Sequence, residues 1–420
     1  MPRCPAEVTN AFRWLWLGQL ISNLGTQCSL YGIGLWSFAR QGQLVDFAAV
    51  ALVVQLAKVL VLPVLGRRLA RWPRRRVMLL ANGLGALCTV ALAAVLWVGD
   101  RPPLLLLLPF LAVAAMAEAA LVLSFASLIP VLVPEPDRLA RANGLFVSAD
   151  GLVLSAAPFA GSWLVASTGL VGVLALDGLS FAVAMACVLL AGPLPRLQPA
   201  LAERLPPLRL RQLWRQPAAR AVLVVGTAMA LVYAATEVLF PAWVVAGPGR
   251  ERLGPALLLG AGGYLLGYQL WARWGWRRPA AVLAAGLTLQ SLILMGAGLQ
   301  VFQNWLPFWY GGLLVFSLAL PLVLAALQGG WQALGPASEL PQLLAQRYRL
   351  EWGARLLAFA ASPLLVDGLL RPALAWPHWP QWLTLSLGTG SGRPLAVALG
   401  AMGWVLLLAW LSQARRWMRA

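Results

Sequence analysis

The chain has 420 residues, 60% of them hydrophobic and only 11% charged, yet its formal net charge is +18. Soluble domains carry about 25% charged residues, so this composition excludes an ordinary water-soluble fold. No soluble basic module gathers the positive charge, which excludes nucleic acid as the partner.

Twelve helices are predicted in chain order, at residues 14–38, 46–66, 77–98, 104–132, 143–166, 170–192, 221–245, 255–273, 279–301, 306–328, 354–372 and 394–414. Most hold the roughly 20 apolar residues that a crossing needs, and a bilayer admits only helices or closed barrels. The expected fold class is therefore an all-α polytopic membrane protein with twelve transmembrane helices. The first apolar run follows a short polar stretch without a small-residue cleavage site, so it reads as a retained span. A linker rich in Pro and Arg at 193–220 divides a six-helix bundle at 1–192 from a second at 221–420. Each bundle begins and ends on the same side, which makes them parallel repeats about an axis along the membrane normal. Most of the arginines fall between spans on one side, so the positive-inside rule places both termini in the cytoplasm. Anionic membrane lipid is the expected partner of that basic surface. An inner segment at 329–353 and an outer one at 373–393 are each long enough for a short interfacial helix. The outer one carries Trp376, Trp379 and Trp382.

A charge at the bilayer centre costs at least about 2.5–3.5 kcal/mol, so ionisable residues within spans are the first candidates for function. Lys58 in span 2 and Glu118 in span 4 lie at similar depth and are expected to pair. Two readings of the pair stand: a carboxylate that exchanges a proton or holds a cation in a central cavity, or an ion pair that fixes helix packing. Asp150, about two turns into span 5, lies close enough to the inner face to meet an arginine. Glu237 in span 7 has Tyr233 and Thr236 beside it and no basic residue within a turn or two. It reads either as a protonatable carboxylate for proton coupling or as a neutral acid bonded to a neighbouring helix. Asp367 and Arg371 are four apart, the spacing of a local helix pair. Span 1 carries Gln19, Asn23 and Gln27 at i, i+4, i+8, with Ser22 and Thr26 beside them. An amide stripe is expensive against lipid, so this face is expected to line a substrate cavity together with Glu118, Tyr233 and Glu237. Gly263 and Gly267 form GxxxG, and Gly83 and Gly85 thin span 3, both patterns of close helix packing.

Cysteines 4, 28, 88 and 187 form no CxxC, and the one histidine, His378, lies in the outer loop, so no disulfide framework or metal site is expected. No DDxxD, P-loop, HExxH or GxSxG is present, and no cofactor is expected. The chain does not read as an enzyme.

Six plus six helices, a midpoint linker and an arginine-dense loop between spans 2 and 3 resemble the major facilitator superfamily. FRWLWLGQLISNLG (12–25), GRRLARWPRRRVMLL (66–80), LIPVLVPEPDRLARANGL (128–145) and LALDGLSFAVA (174–184) are similar to its macrolide-efflux and enterobactin-exporter branch. After the linker, LPLVLAALQ (320–328) is the best match. The superfamily's loop usually reads G-x-x-x-D-R-x-x-R-R; Gly66, Arg71, Arg74 and Arg75 match it, whereas Ala70 stands at the aspartate. The resemblance implies that these four residues form a gating loop and that Asp177 has a structural role near the outer end of span 6. It also implies that the Ala157–Gly161 run bends span 5. It further implies a monomeric secondary transporter of the bacterial inner membrane that exports a small amphipathic molecule, driven by protons. The alternative, motivated by Ala70 and the fainter second half, is a major-facilitator-like scaffold or receptor that no longer transports.

Overall fold

Long runs of Leu, Ala and Val leave the backbone no partner but itself in hydrocarbon, and helices satisfy every interior N–H and C=O. The computed structural model follows this rule and describes residues 5–41, 44–69, 71–99, 102–195, 210–246, 252–274, 277–299, 306–336, 338–375, 379–387, 390 and 392–417. Among them there is no strand. Ala70, Trp376, His378 and residues 196–209 of the linker lie outside the described residues.

The helices are α1 (Pro5–Gln41), α2 (Leu44–Leu69), α3 (Arg74–Val98), α4 (Leu104–Leu132) and α5 (Pro136–Leu190). There follow α6 (Leu210–Arg215), α7 (Pro217–Ala246), α8 (Leu253–Trp274), α9 (Pro279–Ala297) and α10 (Leu306–Gln332). The last three are α11 (Leu340–Pro363), α12 (Gln381–Leu387) and α13 (Arg393–Trp417). Pro136 and Pro279 stand in the first turns of α5 and α9, where a missing N–H costs nothing. Gly169, with φ 70°, breaks α5 into two arms that correspond to predicted spans 5 and 6; positive φ is open to glycine with no Cβ penalty. α11 continues through a π-helical stretch, Leu364–Leu370, into Arg371–Leu374. Nine helical segments among the described residues are long and apolar enough to cross a membrane.

The contacts divide the chain into two units, Met1–Arg209 with Gly335–Arg349, and Leu210–Leu334 with Leu350–Ala420. Residues 335–349 thus group with the first unit, not with the bundle that follows the linker. In the first unit α1 lies along both arms of α5, α3 packs on α4 and α5, and α2 on α4. Its apolar core joins Ile33, Val54, Leu92, Leu107, Leu111 and Leu174 from all five helices. In the second unit α8 packs on α10, α7 on α13, and α9 on both α10 and α13. Large apolar side chains such as Leu80, Leu87 and Leu105 point outward, as lipid-facing surfaces require.

Small residues set the closest approaches. A Cβ on Gly263 would stand 2.6 Å from the Leu314 carbonyl oxygen, and one on Gly267 would run into the Leu318 carbonyl, so the GxxxG face of α8 lies directly on α10. A Cβ on Gly85 would stand 2.7 Å from the Phe181 ring, whereas one on Gly83 would meet open space. Among its described residues, the inner segment at 329–353 holds no separate interfacial helix. Its second half is the start of α11, and its charged face, including Arg347 and Glu351, lowers the hydropathy without breaking the helix. The outer segment does hold a short helix, α12, next to Trp379, whose Nε1–H donates to the Ala373 carbonyl at 2.8 Å.

Candidate functional site

The first unit encloses a small, partly open cleft of about 60 Å³, whose exposed lining is mainly apolar with polar side chains set into it. α1 presents Gln19, Ser22, Asn23, Thr26 and Ser29 to it. This is the i, i+3, i+4, i+7 face of a helix, and it holds its direction along the axis. The i, i+4, i+8 series drifts instead, and Gln27 does not line the cleft. α3 adds Thr89, α4 adds Ala114 and Glu118, and the two arms of α5 add Phe146 and Asp150, then Asp177 and Phe181.

Three carboxylates therefore face one cleft, each held differently. Lys58 on α2 donates to Glu118 Oε1 at 2.7 Å, with side chains only 9% and 19% exposed. The pair bridges two helices entering from the same side, so equal depth in sequence becomes contact in space. Glu118 Oε2 is buried and has no hydrogen-bond partner among the described residues. Asn23 Nδ2 donates to Asp150 Oδ1 at 3.0 Å, while Asn23 Oδ1 is also buried without a partner. Asp150 thus meets the α1 amide. Asp177, 3% exposed, sits among hydroxyls: Thr26 at 3.3 Å from Oδ1, Thr89 at 3.3 Å from Oδ2, and Ser180 and Ser29 beside them. Gly25 makes this possible, because a Cβ there would stand 2.7 Å from Asp177 Oδ1 and 2.5 Å from Ser180 Oγ.

Buried acceptors without donors are rare in folded proteins. Two of them in one cleft mark a place built to receive a donor, whether a proton, water or an N–H-bearing solute. The apolar side of the cleft is aromatic. Phe125 lies 5.6 Å edge-on from Phe146 and 5.7 Å stacked from Phe12, and the Trp16 indole donates to the Leu145 carbonyl at 2.9 Å.

Tyr233 and Glu237 belong to the second unit and do not line this cleft. The Tyr233 hydroxyl donates to Gln290 Oε1 at 2.6 Å, and Gln290 Nε2 donates to the Phe316 carbonyl. Glu237 is not unpaired. Arg355 on α11 reaches both of its oxygens, at 3.1 and 2.8 Å. The guanidinium cancels its charge, a correction to the isolated acid expected from sequence. Arg355 is 118 residues away, in the first turn of the predicted helix at 354–372. Asp367 and Arg371 form the local pair at 2.9 Å, well exposed.

At the corner between α2 and α3, Gly66 near the end of α2 closes on residue 345, where a Cβ would meet the Ala345 Cβ at 2.5 Å, and Arg74 and Arg75 open α3. Arg71 is exposed, and Arg75 donates to the Leu189 carbonyl at 3.5 Å. Arg74 is 4% exposed, and neither terminal nitrogen has a partner among the described residues.

The family model of the major facilitator superfamily matches residues 15–345. No curated protein sequence matches the chain significantly. Among solved structures, a bacterial homologue of the iron transporter ferroportin in its outward-facing state is similar, at 17% identity and TM-score 0.75, covering 98% of this chain and 100% of that one. The same homologue with soaked iron gives 18% identity, TM-score 0.72 and coverage of 97% and 99%. The human organic anion transporter MFSD10 (TETRAN) gives 14%, 0.71, and 97% and 99%. At these identities the likeness is one of fold.

Proposed function

The chain belongs to the major facilitator superfamily, a family of membrane transporters and not of enzymes, and from that premise we propose that it exports a small amphipathic molecule in exchange for protons. Export proceeds by alternating access, with the cleft of the first unit as part of the path. The observation that carries this reading is the Lys58–Glu118 pair in the cleft wall, with Glu118 Oε2 left without a donor.

A proton arriving on Oε2 neutralises Glu118 and loosens its hold on Lys58. Departure of that proton restores a charge that a substrate N–H or ammonium competes for. Proton and substrate then exclude each other at one carboxylate, which is the requirement for exchange. Asn23 and Gln19 orient the polar end of the solute, and the Phe125–Phe146 wall accepts its apolar end. In the second unit the Glu237–Arg355 pair acts as a salt link that can be broken between states, with Tyr233 and its bond to Gln290 bracing the same helix.

Gly66, Arg71, Arg74 and Arg75 form the inner gating loop, and the close approach of Gly66 to Ala345 supports that role. The motifs at 12–25, 66–80, 128–145 and 174–184 favour the macrolide-efflux and enterobactin-exporter branch. The protein acts as a monomer in the bacterial inner membrane, both termini cytoplasmic, with H+ as coupling ion. The unpartnered Glu118 Oε2 and Asn23 Oδ1 in the cleft wall support this over a non-transporting scaffold.

The test is efflux of amphipathic fluorescent dyes from proteoliposomes under an imposed pH gradient. The wild type should respond to the gradient, and Glu118→Gln should lose gradient-driven efflux while eluting as folded protein. Gradient-driven efflux at the wild-type rate in Glu118→Gln would remove the coupling role.

A further inference from the structure

Glu118 has Lys58 and Asp150 has Asn23, but Asp177 has only hydroxyls. Among the described residues no lysine or arginine pairs with it, although it is 97% buried by its 3% exposure and lies in a membrane-spanning arm. Charges in such places are kept where they meet a counter-charge. We infer that Asp177, with Thr26, Ser29, Thr89 and Ser180, forms a binding site for a sodium-sized monovalent cation at the wall of the cleft.

The donor set is oxygen alone, and hard cations select oxygen over nitrogen or sulfur. One carboxylate among neutral hydroxyls balances one positive charge. A divalent ion would leave the buried site with net charge. The spacing fits as well. Thr26 and Ser180 stand 3.3 Å from Oδ1 and Thr89 stands 3.3 Å from Oδ2, too long for good O–H···O bonds. Ligand bonds of about 2.4 Å, within the range for calcium-sized ions and close to what sodium takes, put neighbouring oxygens of an octahedron about 3.4 Å apart. The hydroxyls thus sit nearer to the edges of a coordination shell than to hydrogen-bond contact.

The Ser180 proton is already committed, since its Oγ donates to the Asp177 carbonyl at 2.7 Å, so its lone pairs are free to face the ion. Gly25 presses the α1 backbone against the same oxygens, which excludes any organic group from this corner. Thr26, Ser29, Thr89 and Asp177 all border the cleft, which gives the ion its entry. The inference needs the cleft to admit water; it does not depend on what the protein carries.

Purified full-length protein in detergent is melted in NaCl, LiCl, KCl or N-methyl-glucamine chloride at constant ionic strength and fixed pH, following tryptophan fluorescence. A saturable rise in melting temperature with Na+, larger than that with K+, is expected. Asp177→Asn should abolish the rise while still melting cooperatively. Thr89→Val, which keeps the carboxylate, should weaken the apparent Na+ affinity by about tenfold. Equal melting in all four salts overturns the site, as does an unchanged Na+ response in both variants. Because the readout is binding, a Na+ response in protein that exports nothing would fault the transport reading and leave the ion site standing.

Discussion

Replacing Lys58 by Met removes one partner of a 2.7 Å ion pair whose side chains are 9% and 19% exposed. At this burial screening by water is weak, and an orphaned buried charge costs about 3–5 kcal/mol. Glu118→Gln alone leaves the Lys58 ammonium facing a neutral amide and should cost somewhat less. The double variant Lys58→Met/Glu118→Gln removes both charges, and replacing a whole buried pair is often near neutral. Its loss should therefore fall well short of the two single losses together, with an interaction of about 2–3 kcal/mol. Chemical unfolding of the four proteins in one detergent, read by tryptophan fluorescence, gives the cycle. Losses that add to within about 0.5 kcal/mol would show that the two groups act independently. The pair would then be dismissed as a feature of the wall.

Gly25→Ala should destabilise by about 1–3 kcal/mol, because its methyl would meet Ser180 Oγ and Asp177 Oδ1 inside contact distance; a thermal melt measures it. Gly267→Ala should cost at least as much, since it drives a methyl onto the Leu318 carbonyl, whose backbone cannot turn away. Arg355→Met should change unfolding free energy by less than about 1 kcal/mol, because the Glu237–Arg355 pair is about a third exposed, yet it should slow transport if the pair switches between states. Gly66→Val, which forces a branched side chain against Ala345, should reduce dye efflux in proteoliposomes more than it lowers the melting temperature.

Depth within a span proved readable from residue order, so Lys58 and Glu118 could be matched as a pair from sequence. The polar face of α1 was readable for the same reason, although the fixed step of four carried the stripe to Gln27, off the face that the 3.6-residue turn keeps. The gap between the predicted spans 143–166 and 170–192 falls at Gly169, where a φ of 70° ends one helical arm before the next begins. What stayed hidden depends on tertiary approach. Thr89 on α3 and Thr26 on α1 meet Asp177 across long sequence separations, and no local spacing announces hydroxyls from three helices converging on one carboxylate. The helix that carries Arg355 starts at Leu340, ahead of the predicted span at 354–372, because Arg347, Arg349 and Glu351 pull down the hydropathy of its first half. Arg355 meets Glu237 across 118 residues, a pairing that no local spacing announces.

The claim on which the account rests is that the cleft bordered by α1, α4 and α5 is filled by water that reaches it from alternate faces. A single cysteine at Ala114→Cys, in a background with Cys4, Cys28, Cys88 and Cys187 replaced, reports on this directly. Membrane-impermeant thiol reagents applied to oriented vesicles should label it from one side, and a pH gradient or a transported dye should shift labelling toward the other. A cysteine that stays unlabelled from both sides, in protein that melts like the parent, would contradict the account.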